Sequence, residues 1–284
     1  MDWEEGRTSG VEDRRGSGGL GAPHYIGGGG VLAIVIALIG YFVFHIDPRT
    51  ILAAENQAVP AEAPSQPAAS TSCPQGDQDC RFADVIHTSA DDTWEAIFKA
   101  QGKTYRRSTL VLYSEDTQTA CGDGNAAMGP FYCPEDERVY IDLDFFNTLD
   151  KQLGAPGDFA KAYVIAHEVG HHIQKLLGVS DAVTQKQQDN PDEANALSVR
   201  LELQADCYAG VWAKSSNSKM NWINTKDVEQ GLNAAAAVGD DTLEKKTQGQ
   251  VVPDSFTHGT SAQRMHWFKT GYDTGNPQAC DTFG

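Results

Sequence analysis

His167-Glu168-Val169-Gly170-His171 is the stretch whose reading decides the fold. Residues four apart on an α-helix share a face, so both imidazoles can reach one ion. Glu168, one step after the first histidine, can touch a water on that ion without ligating it. The flanks favour a helix. Phe159-Ala160-Lys161-Ala162-Tyr163-Val164-Ile165-Ala166 leads in without proline, Ile173, Leu176 and Leu177 extend the apolar side, and Gly178 is a stop signal. The pattern predicts a zinc site with His167 and His171 as ligands and Glu168 as general base. The motif by itself leaves open a chance match on a surface helix. His172 points about 100° away around the helix and is expected to pack or hydrogen-bond rather than ligate.

A second helix is predicted over residues 193 to 214, carrying Glu202-Leu203-Gln204-Ala205-Asp206. Glu202 and Asp206 share a face by i, i+4 spacing. The neighbours Leu201, Leu203, Ala205, Tyr208, Ala209, Val211 and Trp212 make this helix mostly apolar. Carboxylates there are costly unless paired or bound to metal, which argues against a solvated acidic stripe. The pattern resembles gluzincin-type zinc sites, which take a Glu from a second helix, and that resemblance implies Glu202 as the third ligand. Asp206 is expected to hold a ligand histidine by a hydrogen bond.

With these motifs in hand, the chain resembles the neutral zinc metallopeptidases of the bacterial envelope, a membrane-anchored family in the zincin superfamily. Beyond the two helices, the resemblance rests on Trp3, Val11-Glu12-Asp13-Arg14-Arg15-Gly16, Gly129-Pro130-Phe131-Tyr132-Cys133-Pro134, Phe256-Thr257-His258-Gly259-Thr260-Ser261 and Cys280-Asp281-Thr282-Phe283. It implies a peptidase acting on a peptide or protein substrate, with Zn2+ as cofactor. It does not supply the physiological substrate.

Composition sets outer limits. With 284 residues, 40% of them hydrophobic, the chain can bury one good-sized core plus appendages. A formal charge of −17 argues against nucleic acid and anionic lipid surfaces as partners. Val31 to Phe44 is the membrane candidate, and the run from Ile26 to Ile46 is long enough to span ~30 Å of hydrocarbon. A cleaved signal peptide is disfavoured because no small-x-small site follows Phe44. All six cysteines lie after this segment, as expected for disulfides in an oxidising compartment. Six cysteines allow fifteen pairings. Short loops favour Cys73–Cys80 and Cys121–Cys133, leaving Cys207–Cys280. The expected localisation is therefore a single-pass protein of the cytoplasmic membrane, with its catalytic domain on the periplasmic or extracellular side.

The expected organisation is a Gly-rich cytoplasmic tail over 1–30, a transmembrane segment over 31–46, an Ala/Pro/Ser-rich stalk over 47–79 and a folded domain over 80–284. Asp91-Asp92 is expected to cap a short helix carrying Trp94, Ile97 and Phe98. Leu110–Tyr113 and Val139–Leu143 look like strands. Strands, then the metal helices, then a helical C-terminal part give an α+β, zincin-like fold class, preceded by the transmembrane helix. By analogy with zincins, Asn125 to Gly129 is the candidate substrate-pairing edge; a disulfide-tied surface loop is the alternative.

The expected chemistry is peptide hydrolysis without a covalent intermediate, with Zn2+ activating a water and Glu168 taking its proton. His258 and Tyr208 are candidates for stabilising the tetrahedral oxyanion. Two other functions share most of these residues: a non-catalytic envelope scaffold with a structural zinc, and a zinc hydrolase with a non-peptide substrate.

Overall fold

The computed structural model describes residues 1–15 and 70–284. Met1–Arg15 and Ala69–Gly284 belong to one compact unit. The elements, in chain order, are β1 (Glu12–Asp13), α1 (Gln78–Ala100), β2 (Thr109–Tyr113), β3 (Asp116–Thr119), β4 (Gly122–Asn125), β5 (Phe131–Cys133), β6 (Arg138–Asp142), α2 (Asp144–Lys151), α3 (Asp158–Leu176), α4 (Val179–Asp189), α5 (Ala194–Met220), α6 (Thr225–Ala237), α7 (Asp240–Gln248) and α8 (Ser261–Thr274).

The main sheet has the order β1-β2-β6-β5. β1, β2 and β6 run parallel, and β5 is antiparallel to β6 at the edge. Leu110 to Tyr113 and Val139 to Asp142 are buried, as expected of central strands covered on both faces. α1 packs on β2, while α3 packs on α1, β5, β6, α5 and α6. The metal helix therefore runs through the middle of the domain, and thirteen of its nineteen residues between Phe159 and Ile173 are buried alongside Gln174. α5 and α8 pack closely against each other. A Cβ on Gly271 would lie 1.9 Å from the Cys207 carbonyl oxygen, so only glycine admits this approach.

The mixture of strands and helices is as expected, but two local readings change. Asp91 and Asp92 lie inside α1 rather than capping it; Asp77 is the N-cap, accepting from the Cys80 N–H at 3.0 Å. Mid-helix Asp91 is tolerated because the Tyr105 hydroxyl donates to it. Of Asn125 to Gly129 only Asn125 lies in a strand, at the end of β4; Ala126–Met128 forms a 3₁₀ turn inside the loop tied by Cys121–Cys133, closer to the alternative reading.

The membrane topology is corrected as well. Among the described residues no helix is long and apolar enough to cross a membrane. The long helices carry charges in mid-course, such as Arg200, Glu202 and Asp206 in α5. The expected span, 31–46, lies outside the described residues, as does most of the expected stalk. The opening residues also oppose a single pass. β1 pairs with β2, Trp3 is buried against Phe82, and the Met1 ammonium contacts Asp227 at 2.8 Å. A tail on the far side of a bilayer could make none of these contacts with the domain. The single transmembrane helix, and the single-pass membrane localisation built on it, are withdrawn.

All three expected disulfides form: Cys73–Cys80, Cys121–Cys133 and Cys207–Cys280. Among the described residues no cysteine is free.

Candidate metal centre

α3 presents His167 and His171 one turn apart, and α5 brings Glu202 against them. His167 Nε2 lies 3.1 Å from Glu202 Oε2, and His171 Nε2 lies 3.3 Å from Glu202 Oε1. One ligand atom from each of the three residues falls within 4.8 Å of the others. A tetrahedral zinc with arms of about 2.1 Å needs donor separations of about 3.4 Å. Two imidazoles and a carboxylate are a zinc donor set, and the spacing fits the ion. Gly170 makes the approach of the two helices possible, because a Cβ there would stand 3.0 Å from the Ala205 Cα and carbonyl oxygen.

Both imidazoles are held from behind. His167 Nδ1–H donates to Asp206 Oδ1 at 2.8 Å, and His171 Nδ1–H donates to Gln174 Oε1 at 2.9 Å. Each hydrogen bond fixes the tautomer that leaves Nε2 free to ligate. Gln174 is anchored in turn, its amide nitrogen donating to the Leu201 carbonyl at 2.6 Å and to Gln204 Oε1 at 3.2 Å. Gln204 then donates to the Cys280 carbonyl at 2.9 Å.

Asp206 is the hub of this support. Besides His167, it accepts from the Tyr163 hydroxyl and, through both oxygens, from the Arg264 guanidinium. Burial raises the Asp206 carboxyl's pKa, but Arg264 and His167 outweigh it and hold the group below the ordinary carboxylate range. Burial pulls the His167 imidazole down, yet Asp206 and Glu202 push it up to about 10. Burial likewise opposes the Glu202 charge, and the two histidines nevertheless keep it well below its usual value. A cation entering such a site must displace protons from the imidazoles.

A cavity of about 800 Å³ opens on this cluster. Glu168 and His258 line it together with His167, His171 and Glu202. Burial pushes the Glu168 carboxyl's pKa up, in the direction a general base requires. His258 sits half-exposed in the loop before α8. Asp240, at the start of α7, organises that loop. Its Oδ2 accepts the backbone N–H groups of Thr257 at 2.9 Å, His258 at 2.7 Å and Gly259 at 2.9 Å, and its Oδ1 takes His258 Nδ1–H at 3.1 Å. This pairing raises the His258 pKa against a smaller opposing effect of burial.

The structure thus brings together His167, Glu168, His171, Glu202, Asp206 and His258. Tyr208 is elsewhere: it is buried edge-on against Trp94, with centroids 5.1 Å apart, and is not part of the cavity lining. Its oxyanion role is withdrawn in favour of core packing. Sequence reasoning missed Gln174, Arg264, Tyr163 and Asp240. Gln174 carried a signal, lying three residues after His171 on one helix; Arg264 and Asp240 are too far along the chain to carry one.

Comparison with known proteins points to zinc as well. A family model described as "Putative neutral zinc metallopeptidase" matches residues 1–283. The uncharacterized protein YpfJ of Escherichia coli strain K12 is 47% identical over 293 aligned positions, covering 100% of this chain and 99% of that protein. An uncharacterized protein of Mycobacterium tuberculosis strain H37Rv is 42% identical over 221 residues, 74% of each chain. No solved structure matches at a significant level. A match from end to end, on a chain whose donor set fits zinc, shows that this protein belongs to that zinc metallopeptidase family, whose implied cofactor is Zn2+.

Proposed function

We propose that this chain hydrolyses peptide bonds in extended peptide or protein segments, with Glu168 as general base. The observation that carries the reading is the position of Glu168. Glu168 lines the same cavity as the ligand cluster, buried but outside the donor set. A purely structural site needs no extra carboxylate there and closes its coordination sphere.

Zn2+ held by His167, His171 and Glu202 would supply a Lewis acid that acidifies a water and polarises the scissile carbonyl. Glu168 accepts the water's proton and delivers it to the departing amine. Asp206 and Gln174 keep the two imidazoles in the ligating tautomer. His258, oriented by Asp240, which favours its protonated form, donates its Nε2–H to the carbonyl oxygen as negative charge develops. The edge strand β5, whose Phe131 and Tyr132 line the cavity, is where an extended substrate can add by strand pairing.

Glu168→Gln tests the reading. The isosteric amide leaves the donor set untouched, so zinc content should match wild type. Hydrolysis of unfolded protein substrates should fall by about 10²-fold or more. A variant that cleaves as fast as wild type would remove Glu168 from the mechanism. Failure of both proteins on a broad peptide library would favour the scaffold or non-peptide readings.

A further inference from the structure

Tyr132 and His172 join the rim of the cleft to the metal helix. His172 Nε2 lies 2.7 Å from the Arg106 carbonyl oxygen, and a carbonyl only accepts, so Nε2 carries the proton. In the neutral ring Nδ1 is then an acceptor, and the Tyr132 hydroxyl, 2.9 Å away, donates to it. The ring has no freedom to swing. His172 is fully buried, with Tyr105 edge-on at 5.8 Å and Tyr132 tilted against it at 5.4 Å.

On the other side of this bond stands β5. Tyr132 is its central residue and pairs with Val139 of β6. Pro130 and Pro134 bracket the strand, which confines the usable edge to three residues. The Cys121–Cys133 disulfide fixes its far end, and the Tyr132–His172 hydrogen bond ties its middle to α3. His172 immediately follows a ligand of the cluster. One turn of α3 therefore offers His171 to the metal site on one side and holds the rim strand on another.

We propose that Tyr132 and His172 are positioning residues: their hydrogen bond sets the height of β5 over the ligand cluster, and so the register of an extended peptide laid along that edge. The inference rests on the peptidase reading. It assigns His172 a role in substrate placement and none in metal binding.

Two probes separate the roles in the zinc-loaded full chain. Acetohydroxamate engages only the metal, whereas a tripeptide hydroxamate also lies along the edge strand. Tyr132→Phe deletes one hydroxyl and keeps the ring. Affinity for the tripeptide hydroxamate should fall about 3- to 10-fold, the worth of one lost hydrogen bond. Affinity for acetohydroxamate, and zinc content, should not change, and amide exchange at Phe131 to Cys133 should quicken. Tyr140→Phe is the control, removing a hydroxyl on β6 that bonds Asp136 instead; both affinities should stay at wild-type values. Unchanged tripeptide binding in Tyr132→Phe, equal losses for both probes, or the same loss in the control would each overturn the positioning role while leaving the peptidase reading standing. Wild type that binds acetohydroxamate but no tripeptide hydroxamate would overturn the peptidase reading, and this inference with it.

Discussion

Asp206 and Arg264 form a two-pronged ion pair in the interior, with Nε to Oδ2 at 2.8 Å and Nη2 to Oδ1 at 2.9 Å, and the same carboxylate holds His167. Both residues are buried, so neither charge has water to fall back on. Arg264 comes from α8, which thereby becomes part of the metal site without touching the metal. Asp206→Asn should lower zinc affinity about 10- to 100-fold, as loss of an outer carboxylate on a ligand histidine does. Competition with a chelator of known affinity measures it, and an unchanged value would place the orientation of His167 elsewhere.

Arg264→Met removes the cation and strips buried Asp206 of the guanidinium that pairs with both its oxygens. Breaking one side of a buried pair costs about 3–5 kcal/mol. Urea unfolding of the variant should show a loss of that order. A loss under about 1 kcal/mol would mean that Asp206 finds other partners or a proton.

The order in which these features become legible follows from their range along the chain. The proximity of His167 to His171 and of Glu202 to Asp206 is readable because helix periodicity places each pair on one face, and the family resemblance joins the two pairs. Asn125 to Gly129 reads equally as an edge or as a tied loop because a glycine-punctuated run from Cys121 to Cys133 holds a hairpin, a turn and a strand, and local sequence does not choose among them. The 3₁₀ turn takes Ala126–Met128, and pairing with β6 selects Phe131–Cys133 as the edge. The role of Arg264 depends on α8 docking on α5, a contact between distant segments that no local pattern encodes. The opening residues mislead for a related reason. Val11 and Trp3 are sparse apolar positions in a charged stretch, yet they fill gaps in a core made by residues far downstream.

Asp240 and His258 give a pH signature. Burial opposes the Asp240 charge, but His258 and the backbone N–H groups outweigh it, so the carboxyl's pKa is lowered and its contribution to stability fades as pH falls through the folded-state value. His258 is raised, chiefly by Asp240, so its contribution is complete below the ordinary value of about 6.5 and fades as pH rises through the folded-state value. Both charges contribute fully between about pH 4 and pH 6.5. The stability difference between wild type and His258→Gln should be largest there and shrink on either side. A difference that stays level from pH 5 to pH 10 would show that the pair contributes nothing through charge.

The disulfides should differ in weight according to the loops they close. Cys207–Cys280 spans a separation of 73 residues, against 7 for Cys73–Cys80. Loop-closure entropy assigns about 4 kcal/mol to the first and about 2 kcal/mol to the second. Replacing Cys207 and Cys280 by alanine should therefore cost the more in thermal unfolding. It should also reach the metal site, because the Cys280 carbonyl is the last link in the chain from His171 through Gln174 and Gln204. Once that carbonyl is released, Gln204 loses an acceptor and the hold on His171 loosens. Chelator competition on the two double variants distinguishes the effects: zinc affinity should fall in Cys207→Ala/Cys280→Ala and stay at the wild-type value in Cys73→Ala/Cys80→Ala. Equal zinc affinity in both would confine the Cys207–Cys280 bridge to stability and break the proposed link between the C-terminal tail and the ligand.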